Sequence, residues 1–220
     1  MLKALIFDFD GLILDTETPE LESWQKIFRD HGVELSAQIW GQIVGGAGLN
    51  HFDPAEYLQE LLGSPIQQAE ILEQAHLMSN KIIQSQVILP GARKLISSAR
   101  DQSFGLAIAS SSPHSWVDEH LSRLGLYNYF NVILCADDVT HTKPYPDLFL
   151  SALKALGVNA AEAVVFEDSP NGIQAANKAG IFSVAIPNQV TIQLDLSHAD
   201  LLLNSLEDIS IEQLVARFKN

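Results

Sequence analysis

The segment FDFDG, residues 7–11, places two carboxylates, Asp8 and Asp10, one residue apart behind the apolar run Ala4–Phe7. Two ionised carboxylates at that spacing repel, so the pair is informative only through its company. That company stands at the ends of three other apolar runs. Ser110, Ser111 and Ser112 follow FGLAIA, Lys143 lies in HTKPYPD after NVILCAD, and Glu167 and Asp168 follow VVF. In an open α/β sheet the carboxyl ends of the strands border a single crevice. Four carboxylates, a hydroxyl and an ammonium therefore meet at one edge. Four carboxylates cannot all stay ionised in a small site without a cation, and a hard, oxygen-preferring divalent ion, Mg²⁺ before others, suits them. With such an ion and a lysine the local field turns positive and accepts an anion. The chemistry that uses this set is attack of a carboxylate on phosphorus to give an aspartyl phosphate. The second carboxylic acid then protonates the leaving alkoxide and later deprotonates a water.

The elements that must position these groups are legible as alternating patterns. KALIFDFD, FGLAIAS from Phe104, VVFED from Val164 and FSVAIP from Phe182 are short runs apolar on both faces, with NVILCAD from Asn131 and ADLLLNS from Ala199 as further strands. Amphipathic stretches over residues 92–101, 115–124, 146–156 and 172–179 separate them. That alternation predicts a doubly wound, Rossmann-like parallel sheet with helices on both faces. On strand alternation Asp8 and Asp10 fall on the same side, and Gly11 marks a turn. Residues 16–87 break the pattern, showing only helical periodicity. Thr18 and Pro19 read as an N-cap and first-turn pair, and Leu21, Trp24 and Phe28 repeat at helical spacing. Trp40, Ile43 and Val44, then Tyr57, Leu58, Leu61 and Leu62, continue it, with Gly45, Gly46, Ala47 and Gly48 as a turn. The expected organisation is an α/β core over residues 1–15 and 88–220, with an all-helical cap inserted at 16–87.

Composition narrows the partners. Across 220 residues, 27 acidic side chains oppose 13 basic ones for a formal charge of −14, which disfavours nucleic acid and anionic membrane surfaces. Cys135 is the only cysteine, so no intrachain disulfide forms and a reducing compartment is expected. Asp8 cuts the first apolar run too short for a signal peptide, and no run reaches the roughly 18 residues of a membrane helix. The reading is a soluble, cytoplasmic protein.

FDFDGLILDTE, the serine at the end of the second run, KPYPDLF and EDSPNGIQAANKAG together resemble the haloacid dehalogenase superfamily, in its β-phosphoglucomutase-like phosphatase branch with a helical cap after the first motif. The likeness spans the chain, in order. It implies that Asp8 is the nucleophile and Asp10 the general acid/base. Ser110 binds the phosphoryl oxygen, with Ser111 and Gly11 beside it. Lys143 balances the nucleophile and phosphoryl charge. Mg²⁺ is held by Glu167, Asp168, the Asp8 side chain and the Asp10 backbone carbonyl. Dehalogenases of the family lack the second aspartate, which argues against that activity. Phosphonatases use a cap lysine in a matching motif, which Lys26 and Lys81 do not provide. Mutases carry an arginine shortly after the cap glycine turn, whereas IVGGAGLNHFDP has no lysine or arginine. The implied activity is a phosphatase, with a sugar phosphomutase as the alternative. A signalling receiver also pairs a phosphorylated aspartate with Mg²⁺, but Asp10 and the helical insertion decide against one.

Several residues keep plainer readings. The serine run can cap a helix, Ser112 before Pro113 above all, while a helix N-terminus also favours an anion at Ser110. Glu17 either touches the ligand from the cap side or complements the coming helix dipole. His51, after the glycine turn, is a candidate specificity residue. The glycine turn is no P-loop, and His114 makes a poor serine triad because no third member is evident. Trp24 and Trp40 are expected in the cap core.

Overall fold

The computed structural model describes residues 1–40 and 52–218. Among them, β1 (Ala4–Phe7), β2 (Gly105–Ala109), β3 (Val132–Leu134), β4 (Ala163–Glu167), β5 (Phe182–Ala185) and β6 (Leu201–Leu202) form one sheet in the order β3-β2-β1-β4-β5-β6. All its pairings are parallel. Each run expected to be a strand is one. The period of two along each strand divides its side chains between two cores. Leu5, Phe7, Leu106, Ile108, Val164 and Phe166 face one, under α5 (Ala92–Asp101), α6 (His114–Arg123) and α9 (Ile211–Arg217). Ala4, Ile6, Ala107, Ala109, Ala163 and Val165 face the other, under α7 (Asp147–Leu156) and α8 (Pro170–Lys178). The smaller residues gather on the second face. Burial of both faces is why these runs carry no polar alternation.

Between β1 and α5 the described residues form four helices: α1 (Glu17–Asp30), α2 (Ala37–Trp40), α3 (Pro54–Leu62) and α4 (Gln68–Ile83). Their apolar faces build a separate cluster in which Trp24, Phe28, Trp40, Leu58 and Ile71 are buried, so both tryptophans are core residues of the helical unit. Burial of each such side chain contributes roughly 1.5–3 kcal/mol. The chain enters and leaves this unit side by side, for Leu14 bridges Ile88 and the Leu89 amide donates to the Ile13 carbonyl at 2.9 Å. Ile43, Val44, the Gly45-to-Gly48 turn and His51 lie outside the described residues.

Three local expectations are corrected. Helix α1 begins at Glu17, with Thr16 as its N-cap residue, rather than at Thr18. The Asp15 carboxylate accepts from the Thr18 amide at 3.1 Å, and Pro19 sits inside the first turn, where a missing N–H costs nothing. Strand β1 stops at Phe7, so Asp8 and Asp10 both lie beyond it, Asp10 at the mouth of the turn in which Gly11 has φ +74°. Ser112 does not cap α6: Pro113 holds the N-cap position, and Asp137 of the loop after β3 accepts from the His114 amide at 2.6 Å.

Candidate active site

The sheet order reverses at β1, whose neighbours are β2 and β4. A crevice opens outside the strand ends at such a switch point. Asp8 follows β1 directly, and its backbone amide donates to the Phe166 carbonyl at 3.0 Å, which ties it to β4. Glu167 ends β4 and Asp168 follows. All three carboxylates are buried, and one oxygen from each lies within 4.8 Å of the others. Lys143, from the loop between β3 and α7, is only 2% exposed, and its Nζ contacts Asp8 Oδ1 and lies 2.6 Å from Glu167 Oε1. Phe149 of α7 packs its ring 5.3 Å from that ammonium.

The charges do not balance. Burial alone would push the Lys143 ammonium down, but Asp8 and then Glu167 outweigh it and hold its pKa above the ordinary lysine value. Burial pushes Asp168 well above the usual carboxylate range, with Asp8, Glu167 and Glu17 adding to it. Burial likewise raises Asp8, Lys143 pulls it back, and Glu167 and Asp10 push it up again, to about 8. With Asp8 and Asp168 both raised beside a single ammonium, the cluster favours a proton among its acids. An all-oxygen donor set with surplus negative charge suits a hard divalent cation in that proton's place.

Asp10 is held apart from this triad. Its Oδ2 accepts from Ser112 Oγ at 2.6 Å and Ser110 Oγ at 3.2 Å, and its Oδ1 accepts from the Trp116 indole at 2.8 Å. The two aspartates of FDFDG thus face different partners, one the lysine and one the end of β2. Ser110 is fully buried and its Oγ also accepts from the Ser112 amide at 3.0 Å. Ser111 Oγ is buried without a hydrogen-bond partner among the described residues. Gly11 is present for space rather than donation. Its N–H is taken by the Leu14 carbonyl at 2.8 Å, and a Cβ there would run into the Asp168 carboxylate and the Asn188 amide.

Glu17 and Glu20 open α1 on the cap side and are half-buried. Burial, then Glu20, Asp10 and Asp8, raise Glu17 well above the usual range. Burial and Asp10 raise Glu20 to about 7. Glu17 is therefore within electrostatic reach of Asp10 and Asp8. His114 is held elsewhere: its ring bonds Asp138 at 2.8 Å and Asp118 at 3.2 Å, contacts that raise its pKa against a burial effect pulling it down. Cys135 is buried and its thiol is pushed up to about 12 by burial, which leaves it a packing residue.

Three positions escaped sequence reasoning. Trp116 needed the α6 geometry. Asn188, whose Nδ2 donates to Asp168 Oδ2 at 2.7 Å, stands just past FSVAIP, so the strand-end logic could have found it. Gly172 is the third. Its missing Cβ leaves room for the Glu167 carboxylate, which a methyl group would overlap, while Ser169 caps α8 by accepting from the Gly172 amide at 3.2 Å. Alanine is favoured over glycine in a helix by about 1 kcal/mol, but overpacking a core costs about 1–3 kcal/mol. Gly172→Ala should therefore lower the denaturation midpoint rather than raise it, read by urea unfolding.

Comparison with known proteins fits this geometry. The profile of the haloacid dehalogenase-like hydrolases matches residues 5–186. "Putative phosphatase YhcW" of Bacillus subtilis is 43% identical over 215 residues, covering 98% of this chain and 97% of its own. The "Phosphorylated carbohydrates phosphatase" of Thermotoga maritima is 30% identical, over 82% of each chain. Among solved structures, CbbY of Rhodobacter sphaeroides in complex with phosphate superposes with a TM-score of 0.74 at 26% identity, over 98% of this chain and 100% of that one.

Proposed function

The chain belongs to the haloacid dehalogenase-like hydrolase family, and from that premise we propose that it is a Mg²⁺-dependent phosphatase hydrolysing a small phosphorylated metabolite, a sugar phosphate first, through an aspartyl phosphate on Asp8. One observation carries the reading: Lys143 contacts both Asp8 and Glu167 in a buried cluster with Asp168 at the switch point of the sheet. The names of the two curated relatives support phosphatase over mutase, and one of them points to carbohydrate phosphates. We take the helical cap as residues 16–87, and the pairing of Leu14 with Ile88 just outside it supports those limits.

Asp8, Glu167, Asp168 and the Asp10 carbonyl would hold Mg²⁺. When bound, the ion would supply charge neutralisation for a phosphoryl group. Asp8 attacks phosphorus, and Lys143 aims its carboxylate and, with the cation, favours its ionised form. Ser110 and the unpaired Ser111 hydroxyl donate to phosphoryl oxygens. Asp10 gives a proton to the leaving oxygen and then takes one from the water that opens the aspartyl phosphate. Glu17 faces the leaving group from the cap. With a formal charge of −14, the protein can admit a phosphate only where the cation and Lys143 reverse the local field.

The test is phosphate release across a panel of phosphorylated metabolites, with and without chelator. Release from sugar phosphates that stops with chelator is expected. No release from any of them, release that persists in chelator, or isomerisation without release would overturn the reading.

The charge surplus also predicts a pH dependence. Acids whose folded pKa is raised bind protons that the unfolded chain has already lost. Between about pH 4 and the Asp8 value of about 8, the folded state therefore holds more protons and its stability falls as pH rises. Chelated protein should melt at progressively lower temperature from pH 5 to pH 8, and saturating Mg²⁺ should flatten that slope. A slope indifferent to Mg²⁺ assigns the retained protons to other groups.

A further inference from the structure

We propose that Asn188 is a positioning residue for the metal pocket: its amide fixes the Asp168 carboxylate from a loop that is itself anchored in the helical cap. This rests on the reading of Asp168 as a cation ligand given above. The amide is committed on both sides. Its Nδ2 donates to Asp168 Oδ2 at 2.7 Å and to the Gly11 carbonyl at 3.3 Å. Its Oδ1 accepts from the backbone amides of Val190 and Thr191, both at 2.9 Å, and its own N–H donates to Thr191 Oγ1 at 3.0 Å. These bonds leave the side chain one orientation, with the donor toward Asp168.

The loop has a second attachment. Val190 is 1% exposed and belongs to the cap cluster with Trp24, Phe28 and Leu58, and Leu194 packs against it. Asn188 therefore spans three parts of the molecule: the β1 turn at Gly11, the acid after β4, and the core of the helical unit. An acid buried among other acids moves away from them unless a donor holds it, and a ligand held out of place binds its cation less well. Groups that orient metal ligands typically affect affinity about 10- to 100-fold.

Two variants separate the amide's bond to Asp168 from its role in the loop. Asn188→Ala removes both. Asn188→Ser keeps a hydroxyl that accepts from the loop amides but is too short to reach Asp168. The probe is Mn²⁺, titrated into metal-free full-length protein without substrate and followed by electron paramagnetic resonance. Alongside it, the melting temperature of the chelated protein is read. Both variants should bind Mn²⁺ at least about tenfold more weakly, with Asn188→Ser melting near the wild type and its turnover rising as Mg²⁺ is raised. If Asn188→Ala does not fold, Asn188→Ser decides alone. Wild-type Mn²⁺ affinity in Asn188→Ser overturns the inference while leaving the phosphatase reading intact. A wild-type chain that binds no Mn²⁺ overturns the metal reading itself, and this inference with it.

Discussion

Asp8→Asn should reduce phosphate release by roughly 10⁴-fold or more, the scale on which loss of a covalent nucleophile acts, while the protein stays folded. The substitution is nearly isosteric, and Asp8 is 6% exposed, so no cavity is opened. What changes is charge. The cluster loses one of three buried carboxylates that repel one another, and Lys143 keeps Glu167 at 2.6 Å as its partner. Loss of the favourable Asp8 contact and relief of the repulsion oppose each other, so the stability change is small beside the catalytic one. That separation makes the variant diagnostic. Single-turnover phosphate release and a urea denaturation curve, measured on the same preparation, decide it. A variant that still turns over at near wild-type rate removes Asp8 from the role of nucleophile, whatever its stability.

The sheet was legible because its strands are buried on both faces and so appear as unbroken apolar runs. The division of Leu5 and Phe7 from Ala4 and Ile6 is already present in the order of residues along β1. The acids at the strand ends were legible for the same reason, since a carboxylate that terminates an apolar run has few places to go. Helix ends were less so, because tertiary donors and acceptors displaced local ones. Asp137 accepts from the His114 amide at the start of α6, where Ser112 was read as a cap, and the Ser112 hydroxyl bonds Asp10 instead. The plain reading of the serine run as a cap thus fails where the functional site begins. Gly172 was hidden for a third reason: it matters through the Glu167 side chain from another element, and that approach is not encoded in local pattern. Asn188 could have been placed at the sheet edge from its position after FSVAIP, but not its bond to Asp168.

Lys143→Met should produce the opposite balance to Asp8→Asn, a large loss of stability together with the loss of turnover. Methionine preserves length and apolar contact with Phe149, so the change isolates the ammonium. Without it Asp8 and Glu167 are left as buried acids with no cation between them. Breaking a buried ion pair from one side costs about 3–5 kcal/mol, far above the 0–1 kcal/mol of an exposed pair. The cluster can escape part of that cost by taking up protons. Because the folded variant then binds more protons than the unfolded chain, the destabilisation should be greatest near pH 8 and shrink toward pH 5. Urea midpoints at the two pH values test this, and a destabilisation equal at both would show that lost packing rather than lost charge is responsible. The double variant Asp8→Asn with Lys143→Met completes the cycle. It removes one of the two acids that the lysine compensates, so it should be more stable than the sum of the single effects allows. Additive effects would mean that the ammonium serves Glu167 alone, and that its contact with Asp8 carries no coupling energy.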